Sequence, residues 1–152
     1  MVKDTGGYEM TVKQISVFIE NKIGGLADIT NVISNAGVNI RALSIAETSD
    51  FGILRLIVDD VFKAGNALKE NGHIYSITDV LAVAGEDKPG SIAKIISTLA
   101  DAEITLDYAY AFFAKKDELA YMIIKVEDME AAKKVLRSNH IHIATEEEII
   151  SI

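Results

Sequence analysis

The sequence contains no cysteine among its 152 residues. This absence excludes a disulfide framework, a thiolate nucleophile and a cysteine-based zinc or iron–sulfur site. The sequence also lacks any apolar run close to the roughly 18 residues that a membrane-spanning helix needs. No apolar segment typical of a signal peptide lies near the N-terminus, so the sequence predicts a cytoplasmic protein.

Positive charge is also scarce. The chain has 15 Lys and Arg residues against 23 Asp and Glu residues, which gives a net charge of −8. A protein this acidic lacks the basic surface that binds phosphate groups, so we expect neither nucleic acid nor a membrane as a partner. Hydrophobic residues make up 49% of the chain and charged residues 25%. These values are typical of a globular protein and exclude a disordered chain.

The two halves of the sequence resemble each other. When residues 14–48 are set against residues 80–114, a shift of 66 positions, seven of the 35 pairs are identical. Average composition would give about two identities by chance. Five further pairs exchange one aliphatic residue for another, and a glycine falls at the same place in each half. The pattern therefore indicates an internal repeat.

Each half also predicts the same order of secondary-structure elements. Apolar residues alternate at Ile15, Val17 and Ile19, which indicates a strand, and then recur at helical spacing from Leu26 to Ala36. Two strands, a second helix and a fourth strand complete a βαββαβ order, which the second half repeats. We therefore predict an α+β fold of two ferredoxin-like βαββαβ sandwiches packed together.

This interpretation divides the chain into a loose N-terminal leader (1–11), a first domain (12–78) and a second domain (79–152). Each domain is expected to have a core of seven aliphatic residues. These are Ile15, Val17, Leu26, Ile29, Ile33, Val38 and Ile40 in the first domain, and Leu81, Val83, Ile92, Ile95, Leu99, Ile104 and Leu106 in the second.

The predicted strands carry apolar residues on both faces. Phe18, Leu43 and Ile45 are expected on the face opposite Val17 and Ile40. A sheet covered on one side only should have a polar outer face. We therefore expect the other domain, a second copy of the chain or both to cover this face, and the protein to form a homodimer.

The two predicted loops between first strand and first helix, residues 21–26 and 87–92, form the candidate site. A glycine there lets the backbone approach a ligand, and the start of the following helix offers N–H groups to a small anion. Asn21 supplies donors and acceptors, and Asp87 could hold an ammonium group, so the loops suit a zwitterion such as an amino acid. The residues alone also allow, and by themselves favour, the interpretation that Gly24 and Gly90 serve only the turn and Asn21 only caps the helix.

Residues 19–26, Ile-Glu-Asn-Lys-Ile-Gly-Gly-Leu, and residues 36–40, Ala-Gly-Val-Asn-Ile, resemble the ACT domain, a small amino-acid-sensing βαββαβ module. Its usual signature is Asn-x-Pro-Gly-x-Leu after the first strand and Gly-Val-Asn-Ile at the second strand. The second half has Asp-Lys-Pro-Gly-Ser-Ile at 87–92 and a weaker match at 102–106. The resemblance covers residues 12 to about 145 and is close to stand-alone tandem ACT proteins.

The resemblance implies a non-catalytic regulatory or sensor protein that binds a free amino acid and needs no cofactor or metal. In serine-sensing ACT domains, an asparagine of the first loop and an asparagine of the second strand hold the ligand across a domain interface, and Asn21 and Asn39 match these positions. Ile19 replaces a ligand-binding histidine of that group, so serine specificity is not implied. The expected ligand-binding residues are Asn21, Ile23, Gly24, Gly25, Leu26, Asn39, Asp87, Pro89, Gly90, Ser91 and Ile92.

Two other functions compete with this hypothesis. The first is a ligand-independent regulatory or interaction subunit of an amino-acid biosynthetic enzyme. The second is a small enzyme or metal-binding protein, but no nucleophile–base pair can be recognised. His140 and His142 have a spacing that suits a metal, yet no third ligand lies near them in sequence, so we interpret them as surface residues. The aromatic residues at 108, 110 and 112 are interpreted as core or interface residues rather than as an RNA-binding surface.

Overall fold

The computed structural model describes residues 10–47, 49–115 and 118–152. Most of the predicted leader, the end of a predicted strand at Thr48 and the middle of the predicted turn 115–118 therefore lie outside the described residues. The chain divides into two compact units. Among the described residues, the first unit contains residues 13–78, and the second unit contains residues from 79 onwards together with residues 10–12.

The first unit has the predicted βαββαβ order. Its elements are β1 (Val12–Glu20), α1 (Gly25–Asn35), β2 (Ile40–Glu47), β3 (Phe51–Val58), α2 (Val61–Glu70) and the beginning of β4 (Tyr75–Glu86). Asp60 directly precedes α2, and its side chain accepts a hydrogen bond from the Lys63 N–H at 3.0 Å. This N-cap supplies an acceptor for one of the N–H groups that the first helical turn leaves unpaired.

Strand β4 is longer than expected. The sequence pattern predicts two strands, 73–77 and 80–84, whereas the structure has one strand of 12 residues. Residues 78 and 79 contain neither glycine nor proline, so nothing in the backbone requires a break between the predicted strands.

The sheet of the first unit is antiparallel between β1 and β3 and between β3 and β2. The register places Leu54 of β3 beside Val17 of β1 and beside Ile45 of β2. The Phe18 N–H donates to the Ile74 carbonyl at 2.9 Å, which holds the chain before β4 against β1. The helices and the sheet together enclose one apolar core.

The second unit repeats this order and adds one helix. After β4 come α3 (Ser91–Asp101), β5 (Leu106–Ala114), β6 (Leu119–Val126), α4 (Met129–Ser138), β7 (Ile143–Ala144) and α5 (Glu146–Ile150). Strand β6 pairs with β4 and β5, and β7 pairs with β4, all antiparallel. Met10, which was expected in the loose leader, packs partly buried against the core of this unit.

Most of the predicted core residues are buried or pack against the cores, but one residue in each unit is not. Leu26 is 36% exposed and Ile92 is 42% exposed. They occupy equivalent positions, 66 residues apart, in the first turns of α1 and α3. The helical spacing includes them in the apolar stripe, but the stripe reaches the core only from Ile29 and Ile95 onwards.

The predicted faces of β2 are wrong because this strand contains a β-bulge. The register between β2 and β3 shifts between Ile40 and Ala42. One additional residue reverses the alternation of side chains that follow it. Leu43 and Ile45 therefore lie on the helix-facing side of the sheet, near its edge, and not on the outer face with Phe18. Strand β5 has a bulge at the equivalent place, between Leu106 and Tyr108.

The C-terminal helix α5 was not predicted. Its three consecutive glutamates, residues 146–148, are by themselves most simply a solvated chain end. In the structure the Thr145 side chain accepts from the Glu148 N–H at 3.2 Å, and Ile149 is fully buried. Glutamates in a first helical turn are favoured by the helix dipole. No helix within the described ranges is long and apolar enough to cross a membrane.

Candidate functional site

Each unit has a cleft where its first strand leads into its first helix. The first cleft has a volume of about 410 Å³ and the second cleft a volume of about 660 Å³. The first cleft is lined by residues 18–20, 22–25, 28–29 and 72–74. The second cleft is lined by residues 84–86, 88–91, 94–95, 119 and 140–142.

The two clefts are repeats of one another. A shift of 66 residues carries the strand, loop and helix residues of the first cleft onto residues of the second cleft, and a shift of 68 carries residues 72–74 onto 140–142. All twelve residues that line the first cleft have an equivalent in the second cleft, which has Leu119 in addition. The internal repeat of the sequence therefore produces two versions of one concave site.

The loop at each cleft has the same conformation. Gly24 and Gly90 have φ angles of +85° and +93°, in the left-handed region that favours glycine. The Lys22 N–H donates to the Glu20 carbonyl at 2.8 Å, and the Lys88 N–H donates to the Glu86 carbonyl at 2.9 Å. Both turns thus place a glycine immediately before the helix.

A lysine and a glutamate form an ion pair at each of these turns. Lys22 Nζ lies 3.3 Å from Glu20 Oε2, and Lys88 pairs with Glu86 in the same way. The hydrogen bond from Lys88 and the charge of its ammonium group lower the pKa of Glu86 below its usual value. The side chains of both pairs are largely exposed, so each pair adds little to stability.

The two helices begin without a side-chain cap. Within the part of the chain that the structure describes, the N–H groups of Leu26 and Ala27 at the start of α1 have no acceptor, and those of Ile92 and Ala93 in α3 have none either. Unpaired N–H groups at a helix N-terminus bind carboxylates and phosphates. Each cleft therefore has a donor group for a small anion beside it.

The first cleft combines an apolar rim with one Asp–His pair. Phe18, Ile23 and Ile74 line it and are exposed. Asp28 Oδ2 lies 3.0 Å from His73 Nε2, so the acidic group near the helix start already has a partner.

The second cleft is more polar at the same positions. Lys94 replaces Asp28, Ile141 replaces His73, and two histidines replace Gly72 and Ile74. One of these, His142, has its Nε2 atom 2.7 Å from Glu148 Oε2 of α5. The polar groups that the second cleft offers to a ligand therefore include a lysine that the first cleft lacks.

A comparison with protein families identifies the chain. The family model described as an ACT domain pair matches residues 10–152. The chain belongs to this family. The match confirms the predicted family and the predicted α+β fold of βαββαβ repeats.

Solved structures with the same fold include protein BT0572 from Bacteroides thetaiotaomicron, which is 35% identical to this ACT domain pair, with a TM-score of 0.88. The match covers 95% of this chain and 99% of BT0572. The regulatory subunit of aspartate kinase from Thermus thermophilus is 18% identical with a TM-score of 0.61, covering 84% of this chain and 90% of that one. A structure of aspartokinase alpha and beta subunits is 21% identical with a TM-score of 0.57, covering 84% and 91%. No curated protein matches the sequence.

Six of the eleven expected ligand-binding residues of this ACT domain pair line the clefts. They are Ile23, Gly24 and Gly25 in the first cleft and Pro89, Gly90 and Ser91 in the second cleft. Leu26 and Ile92 follow directly in the helices but do not line the clefts, and neither does Asp87. Of the expected residues, the structure thus brings to the clefts those of the two loops.

Asn21 has a structural contact that the sequence did not indicate. Its side-chain amide donates to the Ser49 carbonyl at 3.1 Å, and its N–H donates to the Asp50 carbonyl at 3.2 Å. These bonds hold the loop of the first cleft against the turn between β2 and β3. Asn21 is therefore not the cap of α1, which was one of the interpretations of the sequence.

Asn39 lies away from the first cleft. Its N–H donates to Asp59 Oδ1 at 2.9 Å, and its carbonyl accepts from the Asp59 N–H at 3.1 Å. Asp59 follows the end of β3, whereas Asn21 contacts the residues before its start. A strand of 8 residues spans about 26 Å. Asn21 and Asn39 of one unit are thus at opposite ends of its sheet and do not form one site.

The charged residues of the clefts were missed by sequence reasoning. Asp28, His73 and Lys94 were not proposed as site residues, although Asp28 and Lys94 are paired in the repeat alignment. An opposite charge at equivalent positions was the available signal. Across the described ranges, no group of three or more His, Cys, Asp or Glu residues could hold a metal ion.

Proposed function

We propose that this ACT domain pair is a regulatory protein without catalytic activity of its own, and that it binds free amino acids in its two clefts. One observation carries the proposal: twelve equivalent positions form a concave site in each unit, next to a helix that begins without a side-chain cap.

The chemistry of each cleft suits an amino acid. The unpaired N–H groups of residues 26 and 27, or of residues 92 and 93, lie beside the cleft and would bind the α-carboxylate at its edge. The carboxylate of Glu20 or Glu86, at the end of the preceding strand, would offer the α-ammonium an opposite charge. The volumes of the two clefts, about 410 and 660 Å³, are within the usual range of small-molecule sites.

The regulatory part of the proposal rests on fold alone. The Thermus thermophilus protein of similar fold is named as a regulatory subunit of aspartate kinase. Shared fold does not establish shared function, so this is an analogy. A bound amino acid would act by favouring the conformation of the loop that binds it, by no more than its difference in affinity between conformations. In the first unit Asn21 would carry this effect to the turn between β2 and β3.

The proposal can be tested by calorimetry and thermal denaturation of the full chain with each of the twenty amino acids. At least one amino acid should bind and raise the melting temperature. Gly24→Val and Gly90→Val place a branched side chain in the loops and should abolish binding at the respective cleft. Gly37→Val is the matched control, because Gly37 also has a left-handed φ of +74° but lies after α1, outside both clefts.

Binding that survives in both loop variants would place the site elsewhere. The absence of binding by every amino acid would contradict the proposal. Each variant's circular dichroism spectrum should be recorded first, so that loss of binding is compared between folded proteins.

A second candidate function is that of an interaction subunit that needs no ligand. It is favoured by an apolar patch on the outer face of the first unit's sheet, formed by Phe18, Phe51 and Ile53, which are 43%, 42% and 36% exposed. The rings of Phe18 and Phe51 stack with their centres 5.2 Å apart. Exposed patches of this kind often mark protein contacts. The occupant would be a second copy of the chain or an amino-acid biosynthetic enzyme.

Light scattering on the chain and on Phe51→Ser/Ile53→Ser tests the homodimer. A dimer that dissociates in the double variant would support this function. If the chain is a monomer and amino acids do not change its mass, an amino-acid biosynthetic enzyme would be the remaining candidate partner for this function.

A further inference from the structure

The two clefts share one backbone but differ in charge. At the start of the helix, the first cleft has Asp28 and the second cleft has Lys94. Across the cleft, the first has His73 and the second has Ile141. Each cleft also has one glutamate–lysine ion pair in its loop. The difference in charge between the clefts therefore comes from the equivalent position that is Asp28 in the first cleft and Lys94 in the second.

Lys94 has no partner for its charge within the part of the chain that the structure describes, because no carboxylate there lies within ion-pair distance of it. Asp28, by contrast, pairs with His73 at 3.0 Å. The first turn of α3 also contains no acidic residue, whereas that of α1 contains Asp28. A cation near a helix N-terminus opposes the helix dipole. Lys94 therefore occupies a position where it does not stabilise its own helix.

We propose that the second cleft selects an amino acid with a second carboxylate, whose side-chain carboxylate pairs with Lys94, and that the first cleft excludes such a ligand through Asp28. This inference rests on the proposed function, because the α-carboxylate would bind the helix start in both clefts. It adds the class of ligand and the residue that determines it.

The physical reason is the sign of the charge at one position. A dicarboxylate at the second cleft meets the ammonium group of Lys94, which no described carboxylate pairs with. His142, which also lines this cleft, is already paired with Glu148. At the first cleft the same ligand meets the Asp28 carboxylate and the apolar side chains of Ile23 and Ile74. A second carboxylate near Asp28 is disfavoured because like charges repel.

Calorimetry and NMR of the full chain test the proposal with two matched ligand pairs, L-glutamate against L-glutamine and L-aspartate against L-asparagine. Each pair has nearly the same size and differs in one charge. We expect one acidic ligand to bind about two- to fivefold more tightly than its amide and to shift the amide signals of Gly90 and Ser91. Since the ammonium group is exposed, a larger preference is not expected.

Three variants assign the preference to its residue. Lys94→Gln should reduce the affinity for the acidic ligand to that for its amide, while the amide binds as before. Lys134→Gln removes an exposed lysine of α4 outside the clefts and should change neither affinity. Asp28→Lys should give the first cleft a dicarboxylate response at Gly24 and Gly25 that the wild type lacks.

The outcomes separate this inference from the proposed function. If glutamine and asparagine bind at Gly90 and Ser91 as tightly as the acidic ligands, or if the preference survives Lys94→Gln, the inference is wrong and the proposed function stands. If inorganic phosphate produces the same shifts with equal affinity, the cleft is a general anion site and the inference is also wrong. If no amino acid binds, both are wrong.

Discussion

His73 Nε2 lies 3.0 Å from Asp28 Oδ2 and connects the segment before β4 to the first turn of α1. The distance is that of an ion pair, but its geometry does not satisfy a hydrogen bond, and Nε2 is buried. The histidine side chain is 17% exposed and that of the aspartate 67%. The pair therefore joins a mostly buried ring to a carboxylate that water already solvates.

The first prediction follows from this asymmetry. His73→Ile should change the free energy of unfolding by less than about 1 kcal/mol, because an exposed partner makes the pair weak and because the second unit has Ile141 buried at the equivalent position. Urea denaturation measures the change. His73→Asp is the contrasting variant. It should lower the free energy of unfolding more than His73→Ile does, since it places a second carboxylate beside Asp28. A large loss in His73→Ile would show that the ring has a packing role that an aliphatic side chain cannot replace.

The second prediction concerns a close helix–strand contact in the first unit. Gly65 is buried in α2, and a Cβ atom there would lie 2.9 Å from Tyr75 Oη and 3.0 Å from its Cζ. Gly65→Ala should therefore destabilise by about 1–3 kcal/mol, although alanine is the better helix former. Thermal denaturation checks this value.

A double variant tests the cause. Tyr75→Ile should relieve the overlap, so the cost of Gly65→Ala should be smaller in that background; the second unit has the equivalent pair Lys133 and Ile143. Gly85→Ala is the control, because its nearest contact would be an ordinary 3.5 Å to Ser91 Cβ. Equal costs of Gly65→Ala in both backgrounds would contradict the explanation.

The sequence predicted the repeat, the element order and the loops of the clefts because these depend on local signals. Alternating and helical spacing indicate strands and helices, and a glycine before a helix marks each loop. The apolar positions of α1 and α3 show the limit of this reasoning, since Leu26 and Ile92 have the spacing of core residues and lie at the exposed helix starts. Periodicity indicates a face of a helix but not how far along the helix the core extends.

The faces of β2 and the contact between Asp28 and His73 could not be predicted in the same way. One additional residue, Arg41, reverses the side of Leu43 and Ile45, and nothing in the local sequence marks it as a bulge. Asp28 and His73 are 45 positions apart and come together only when the segment before β4 returns to β1. Contacts between distant segments depend on the register of the sheet, which periodicity does not specify.

The third prediction concerns the pH response of the second loop. The pair with Lys88 lowers the pKa of Glu86 in the folded protein. The charge of Glu86 therefore stabilises the fold at a pH above its pKa in the unfolded chain, about 4.3. This contribution is lost as the pH falls through the lower, folded-state pKa.

Lys88→Gln should therefore raise the pKa of Glu86 towards its ordinary value, as measured by an NMR titration of the side-chain carboxyl. Because both side chains are exposed, the variant should be almost as stable as the wild type at neutral pH. Lys134→Gln should leave the titration of Glu86 unchanged. A Glu86 pKa that stays low in Lys88→Gln would assign its cause to another group.

The last prediction concerns a lysine that is almost completely buried. Lys133 of α4 is 2% exposed, and its Nζ donates to Glu130 Oε1 at 2.9 Å. The glutamate side chain is 76% exposed, so it remains solvated when the lysine charge is removed. Most of the contribution of Lys133 to the free energy of unfolding should then come from the packing of its methylene groups rather than from the ion pair.

Two substitutions separate packing from charge. Lys133→Met keeps a long apolar side chain and should change the free energy of unfolding by no more than about 1 kcal/mol, since apolar replacements of buried charges are often neutral. Lys133→Ala removes the methylene groups as well and should cost about 2–3 kcal/mol through the cavity it leaves. Lys134→Ala, on the exposed side of the same helix, should stay within about 0.5 kcal/mol. Urea denaturation of the three variants measures the order of their free energies of unfolding. If Lys133→Met is as destabilising as Lys133→Ala, the charge and its hydrogen bonds, not the packing of the methylene groups, hold α4 in place.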